Sequence, residues 1–416
     1  MKKVFGIAAM LLALAACNKI ETEIQTTDQA EGITITAQLA PKTGGATTRA
    51  VSDGGNMIIS EWAENEHIAI LYWVGSTKKV ADATVTGVDG SGAATITFTV
   101  EAGTPDNTAC TLVYPYSAAM VDYTTLLAAQ DGTLNANLDV RVGAGTIQTT
   151  TPGLTVSTQP EAQFAIFKFT LQDLSAGAKS ATEFKVSDGS GNVMTTVTPG
   201  SASGVLYVAL PVMADGTYWF NATIDSKPYI AKATTAAATV AGKYYQTTVK
   251  MATIGDVILD NGKFAARSSD TGTERAMIAY LGSETDHATY KHGLALALSD
   301  EGSMNWTTAT GASGAAAHTP AAPTTTSSWQ LPSRDQWNKM IDACKNVLGT
   351  KNDYQDLKGG FSGITGASNL QSSDYWSSTE YDSDSSHAWY YSFGHGGCSH
   401  VGKNLGVIRV RACLAF

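Results

Sequence analysis

Between Val51 and about Met251 the chain repeats one pattern, short apolar or alternating runs broken every few residues by Gly, Asp, Asn or Pro. A period of two is that of a half-buried strand, and runs so short between turn residues have no room to be helices. Residues 68–74, 94–100, 111–114, 164–171, 205–210, 218–224 and 244–250 are such runs, and their spacing predicts antiparallel β-sandwiches. The stretch 143–153 is rich in Gly and Thr and contains Pro152, which places a boundary near residue 152. Two sandwiches are therefore expected, over residues 50–152 and 153–252.

Composition agrees with that reading. The chain has 416 residues, of which 43% are apolar and only 15% charged, with Ala, Thr, Gly and Ser filling the gap. A core is available, and the chemistry suits strands and turns better than charge-laced helices. Thirty-seven acids against 27 bases give a net charge of −10, so no cationic surplus exists for binding nucleic acid.

The first residues address the compartment. Lys2 and Lys3 precede an apolar run over 4–16, too short to span a bilayer and suited to a signal-peptide core. The run ends Leu14-Ala15-Ala16-Cys17, which resembles the bacterial lipobox. That resemblance implies cleavage before Cys17 and its acylation, so residues 1–17 read as a lipoprotein signal peptide with its lipobox cysteine, and the precursor as lipid-anchored. No other segment approaches the roughly 18 apolar residues of a membrane span. Cys110, Cys344, Cys398 and Cys413 remain, in an exported chain where disulfides persist.

Residues 18–32 are polar and acidic, a tether. Residues 33–39 then alternate strictly and place Ile33, Ile35, Ala37 and Leu39 on one face of a strand. The following segment, 41–50, is turn-rich, carries the single arginine Arg49, and reads as accessible to proteolysis.

From Ile254 the character changes. Five of the eight tryptophans (Trp306, Trp329, Trp337, Trp376, Trp389) lie there. Ser333-Arg334-Asp335-Gln336 is a capping box, and Trp337, Met340, Ile341, Cys344 and Leu348 form the apolar stripe of a helix that Gly349 is expected to close. Residues 307–328 read as a loop.

Two family resemblances follow. The region from Ile33 to about residue 250, with its early strand, the Thr48-Arg49-Ala50 junction and a Trp62-containing strand over 58–70, resembles the fimbrillin, or Mfa-like, family of Bacteroidales type V pili. Glu66 stands where that family's pattern has Asp. The resemblance implies transthyretin-like sandwiches and a propeptide, residues 18–49, whose strand Ile33, Ile35, Ala37 and Leu39 is a placeholder. On that pattern, proteolysis between Arg49 and Ala50 releases the strand, and a neighbouring subunit supplies its replacement by β-strand addition.

The blocks Leu331-Pro332-Ser333-Arg334-Asp335-Gln336-Trp337, Tyr375-Trp376-Ser377-Ser378-Thr379-Glu380 and Val410-Arg411-Ala412-Cys413 make residues 253–416 similar to DUF1566-like, or major paralogous, domains. Their fold is C-type-lectin-like, α+β. By that likeness Cys344 and Cys413 are expected to form a disulfide. The overall expectation is mainly β: two transthyretin-like antiparallel sandwiches followed by a C-type-lectin-like adhesive domain.

Residues 372–403 combine aromatic and polar side chains as a glycan site requires. Trp376 and Trp389 are read as core, and Tyr381, Asp382, Asp384 and His395 as ligand contacts. Asp374, Glu380, Asp382 and Asp384 are oxygen donors of the kind calcium takes, but the sugar-binding signatures of calcium-dependent lectins are absent. His395, Cys398 and His400 lack a fourth zinc ligand. No metal or cofactor is expected, and no motif of hydrolase, metalloprotease or phosphate-binding chemistry occurs, so no catalytic residue is assigned.

The functional expectation is an outer-membrane precursor of a surface fimbrial subunit. Other fimbrial subunits and a glycan or surface receptor are its partners. A tip position is favoured, because residues 407–416 read as a strand built into the last domain and so not free to be donated. The alternative is a permanently lipid-anchored glycan-binding protein that does not polymerise.

Overall fold

The computed structural model describes residues 32–42, 52–53, 58–116 and 130–416. Cys17, Arg49 and Ala50 lie outside them.

The first sheet is built from β1 (Ile33–Leu39), β4 (His67–Val74), β5 (Thr77–Val88), β6 (Ala94–Val100), β7 (Thr108–Tyr114), β8 (Arg141–Gln148) and β9 (Gly153–Ala162). Their order is β1-β6-β5-β4-β7-β8-β9, and every pairing is antiparallel. Two short strands, β2 (Ser52–Asp53) and β3 (Ile58–Ile59), form a separate ribbon. The alternation seen in the sequence becomes burial: Ile35, Ala37 and Leu39 point inward onto Ile68, Ile70, Ile96, Phe98, Leu112 and Ile147, while Thr34, Thr36 and Gln38 face out. The edge strands β1 and β9 come alongside each other, linked where the Ala40 amide donates to Gln159 Oε1 at 3.0 Å.

This arrangement corrects two expectations. Residue 152 is not a boundary but lies in the turn of the β8–β9 hairpin, and β9 belongs to the first sheet. Gly143 and Gly145, in the stretch expected to mark that boundary, lie within β8, where a Cβ would meet the Thr158 carbonyl at 2.6 Å and the Thr155 carbonyl at 2.9 Å respectively. Trp62, expected within a strand over 58–70, lies in an irregular stretch that turns at Asn65 (φ 67°) before β4 begins.

The second sheet contains β10 (Ala165–Asp173), β11 (Glu183–Ser187), β12 (Val193–Val197), β13 (Val205–Leu210), β14 (Gly216–Ile224), β15 (Lys227–Thr235) and β16 (Tyr244–Thr253), in the order β12-β11-β14-β15-β16-β10-β13. Its one parallel pairing is β10 with β16. One face buries Phe167, Phe169, Phe184, Phe220 and Met251. The other presents Trp219, Ile230 and Ala252, which pack on the next sheet rather than on solvent.

That sheet has the order β18-β17-β19-β20-β26, from β17 (Val257–Leu259), β18 (Phe264–Ala265), β19 (Glu274–Leu281), β20 (Gly293–Ala297) and β26 (Cys413–Ala415). The last sheet, β21-β25-β22-β23-β24, uses β21 (Gly302–Ser303), β22 (Asp374–Glu380), β23 (His387–Ser392), β24 (Gly397–Gly402) and β25 (Arg409–Val410). Residues 407–416, expected as one strand, thus split between two sheets. Three helices accompany them: α1 (Trp306–Thr310), α2 (Arg334–Cys344) and α3 (Tyr354–Lys358). Within 307–328, α1 and a 3-10 turn at Ala315–Ala317 interrupt the expected loop.

The Ser333–Gln336 capping box forms on α2, and Trp337, Met340, Ile341 and Cys344 are buried against Met277, Leu296 and Tyr375. The helix stops at Cys344, short of the expected Leu348, and Asn346 rather than Gly349 takes the left-handed conformation (φ 57°).

Cys344 and Cys413 are buried free thiols, so the expected bridge is absent. Cys344 Sγ donates to the Ala279 carbonyl at 3.3 Å, while Cys413 Sγ lies 3.8 Å from Gln336 Oε1. Cys413 thus faces the first turn of α2 and Cys344 is its last residue, about 12 Å further along the helix axis, beyond the reach of an S–S bond.

Candidate functional site

Two places concentrate chemistry. The first is the edge at β1 and the short segment after it. β1 is hydrogen-bonded on one side only, to β6, in an unbroken antiparallel register from Ile33 against Val100 to Leu39 against Ala94. Past Leu39 the chain turns inward instead of leaving. The Trp62 indole N–H donates to the Ala40 carbonyl at 2.9 Å, and Lys42 is buried.

The Lys42 ammonium lies between two rings, 3.7 Å from the Tyr114 centroid and 4.3 Å from that of Trp62. These rings meet edge to face at 86°. Lys42 Nζ donates to Glu66 Oε2 and to the Glu61 carbonyl, each at 3.2 Å, and stands 3.9 Å from Asp139 Oδ2. Glu66 is fixed from behind, accepting from the Tyr114 hydroxyl at 2.6 Å and the Ala63 amide at 3.0 Å. Arg141 Nε donates to both oxygens of Asp139, at 3.0 and 2.9 Å, and Ser60 Oγ donates to the same carboxylate.

Burial pulls the Lys42 pKa down, opposed by the nearby Glu66 and Asp139 charges. Burial, together with the Glu66 charge and hydrogen bond, pushes the Tyr114 phenol up, so it stays a donor. Ring faces and paired carboxylates form a cation box. Sequence reading treated Glu66 as a minor variation and assigned nothing to Lys42. The available signals were a lysine just past a buried strand and a Trp four residues before a Glu.

The second place is the outer end of the β22–β23 hairpin. The Tyr381 ring stacks on the His400 imidazole at 3.7 Å and 5°, and Trp389 stands edge-on to both at 5.4 and 5.7 Å. Arg334, at the start of α2, lies over the Trp389 ring at 4.7 Å. Asp384 accepts from the Ser386 amide and hydroxyl, which holds its carboxyl below the usual range, and it meets His387 Nδ1 at 2.8 Å. Beside this patch a cavity of about 560 Å³ is lined by Arg334, Asn338, Asp342, Tyr354, Trp389 and Cys398 among others.

Of the four expected contacts, Tyr381, Asp382 and Asp384 share this end. His395 does not: it is exposed in the β23–β24 turn, at the other end of β23, about 17 Å away. Trp376 is fully buried as expected, whereas Trp389 is only half-buried and belongs to the patch. Arg334 comes from the distant α2 N-terminus, and His400, within 372–403 but not among the four expected contacts, is set opposite Trp389 by the β23–β24 pairing. Among the described residues no group of His, Cys, Asp and Glu is placed to hold a metal ion, and no helix is long and apolar enough to cross a membrane.

These observations define a mainly β protein of several sandwich-like sheets, with a buried cation box beside the β1 edge and an aromatic patch at the end of the β22–β23 hairpin. No family model matches the chain, and no curated protein matches it. Among solved structures it is similar to a fimbrial protein from Bacteroides ovatus, at 13% identity over 93% of this chain and 99% of that one, with a TM-score of 0.31. It is also similar to a candidate cell adhesion protein from Bacteroides uniformis, at 12% identity over 53% of this chain and 96% of that one, TM-score 0.29. A third is the group B streptococcus pilus 2b backbone protein, at 12% identity over 54% and 86%, TM-score 0.18.

Proposed function

We propose that the chain is the lipid-anchored, surface-exposed precursor of a fimbrial subunit, in which β1 is a placeholder released by cleavage between Arg49 and Ala50 and replaced by a strand of another subunit. The observation that carries this reading is the position of β1. It is an edge strand bound through one ladder, with every second side chain in the core. Such a strand is the unit that β-strand addition exchanges. Mass spectrometry of the polymerised protein tests it: the first residue is expected to be Ala50, and Arg49→Ala is expected to abolish polymer formation. Polymers that retain Lys42 on the same chain overturn the reading.

The same proposal gives the C-terminal region, residues 253–416, an adhesive role as a C-type-lectin-like module, with Tyr381, His400 and Trp389 as the platform for a sugar ring and Asp382 and Asp384 as hydroxyl partners. On this reading the subunit sits at the tip, where an adhesive region meets its target. Trp219, Ile230 and Ala252 share one core with Ile258, Ala276 and Ile278, so the test belongs on the whole chain rather than on residues 253–416 alone. Tyr381→Ala and His400→Ala are each expected to lower glycan-array binding by about twofold to tenfold, the scale of one lost stacking contact.

The Lys42 box favours a second reading, in which β1 is never released and the protein remains an anchored binder. The start site of the surface form separates the two.

A further inference from the structure

Resting on the strand-exchange reading, we propose that the box around Lys42 selects the incoming strand, which carries a lysine or arginine at the third position after its last inward apolar residue.

The spacing comes from β1 itself. Leu39 is its last inward side chain, the Ala40 carbonyl is held by Trp62, and Lys42 follows Pro41 into the box. Four charges meet there: Lys42 and Arg141 against Glu66 and Asp139. When β1 leaves, Lys42 leaves with it. Arg141 continues to pair with Asp139, while Glu66 stays fixed by Tyr114 and Ala63, so one carboxylate faces two ring faces without a cation. A neutral strand would cover that carboxylate uncompensated, which is far costlier than never forming the pair. A strand with a cation at this position restores the balance.

The box also sets register. A two-residue slip of an alternating strand keeps its apolar face inward and costs little in a uniform groove. It would, however, move the cation out of reach of Glu66. The apolar side chains supply affinity and the single charge supplies selection and alignment.

The test uses the full chain cleaved by an arginine-specific protease, with mass spectrometry showing Arg49 as the one cut. Fluorescent peptides of residues 32–42 are offered as native sequence, Lys42→Arg and Lys42→Met, and capture is followed by anisotropy. The native and Lys42→Arg peptides are expected to bind within about threefold of each other, and Lys42→Met at least about tenfold more weakly. Cleaved Glu66→Gln protein is expected to lose the preference. Equal capture of all three peptides overturns the selection and leaves strand exchange standing. Capture of none, with the cleaved protein still holding its own β1, overturns strand exchange and this inference together.

Discussion

At the residue scale the molecule depends on charges placed where charge is expensive. Lys42 is 7% exposed, and its ammonium is tolerable only because Glu66, Asp139, a backbone carbonyl and two rings replace water around it. In the uncleaved chain, Lys42→Met should therefore destabilise by about 3 kcal/mol, because the largely covered Glu66 carboxylate, whose side chain is only 15% exposed, loses its partner. Lys42→Met with Glu66→Gln should recover most of that loss. Urea midpoints of the four corners of this cycle measure it, and a double variant as unstable as Lys42→Met would show that Lys42 acts by packing alone. None of this was legible from local pattern. A period-two reading assigns inside and outside to residues 33–39, but it has no means of saying that Lys42, past the strand's end, folds inward to meet Glu66 on the approach to β4.

At the scale of elements, legibility followed how local the determining physics is. β6 and β13 begin and end where their apolar runs do, and the α2 capping box forms as read, because strand alternation and capping are short-range. The end of α2 was missed because Leu348 continues the stripe by spacing, yet Asn346 turns left-handed and Leu348 packs beside the helix instead of within it. The boundary at 152 was missed for a different reason. Gly143 and Gly145 belong to the Gly- and Thr-rich stretch that suggested a boundary, but β9 carbonyls lie 2.6 and 2.9 Å from where their Cβ atoms would sit. Gly143→Ala should accordingly cost about 1–3 kcal/mol, the range of a forced overpacking, with no matching loss at Gly90, where a Cβ meets open space. Thermal denaturation of Gly143→Ala and Gly90→Ala distinguishes a glycine required by close backbone approach from one that is not, and equal behaviour would show that β9 yields to a Cβ at Gly143.

On the scale of the whole molecule, the second sheet and the C-terminal region act as one packed unit, and their seam contains a titratable ring. His292, just before β20, stacks on Trp219 of β14 at 3.7 Å and 20°, with its amide donating to the Phe416 carbonyl at 2.7 Å. Burial, and secondarily the Lys232 charge, lowers its pKa to about 4. The unfolded imidazole takes its proton near 6.5, so between about pH 6.5 and 4 the unfolded chain binds the additional proton. The stability His292 contributes is then complete above about pH 6.5 and falls as the pH drops toward 4. Because the ring is partly exposed, the full linkage value must be discounted, to roughly 1–2 kcal/mol. Carboxylates titrate in the same interval, so the comparison that isolates this residue is wild type against His292→Phe, which keeps an aromatic stack on Trp219 and removes the proton site. Unfolding free energies from urea titrations should fall between pH 7.5 and 4.5 by that amount more for wild type than for the variant. Parallel losses in both would mean that the seam tolerates a charged imidazole and that the stack on Trp219 is shape alone.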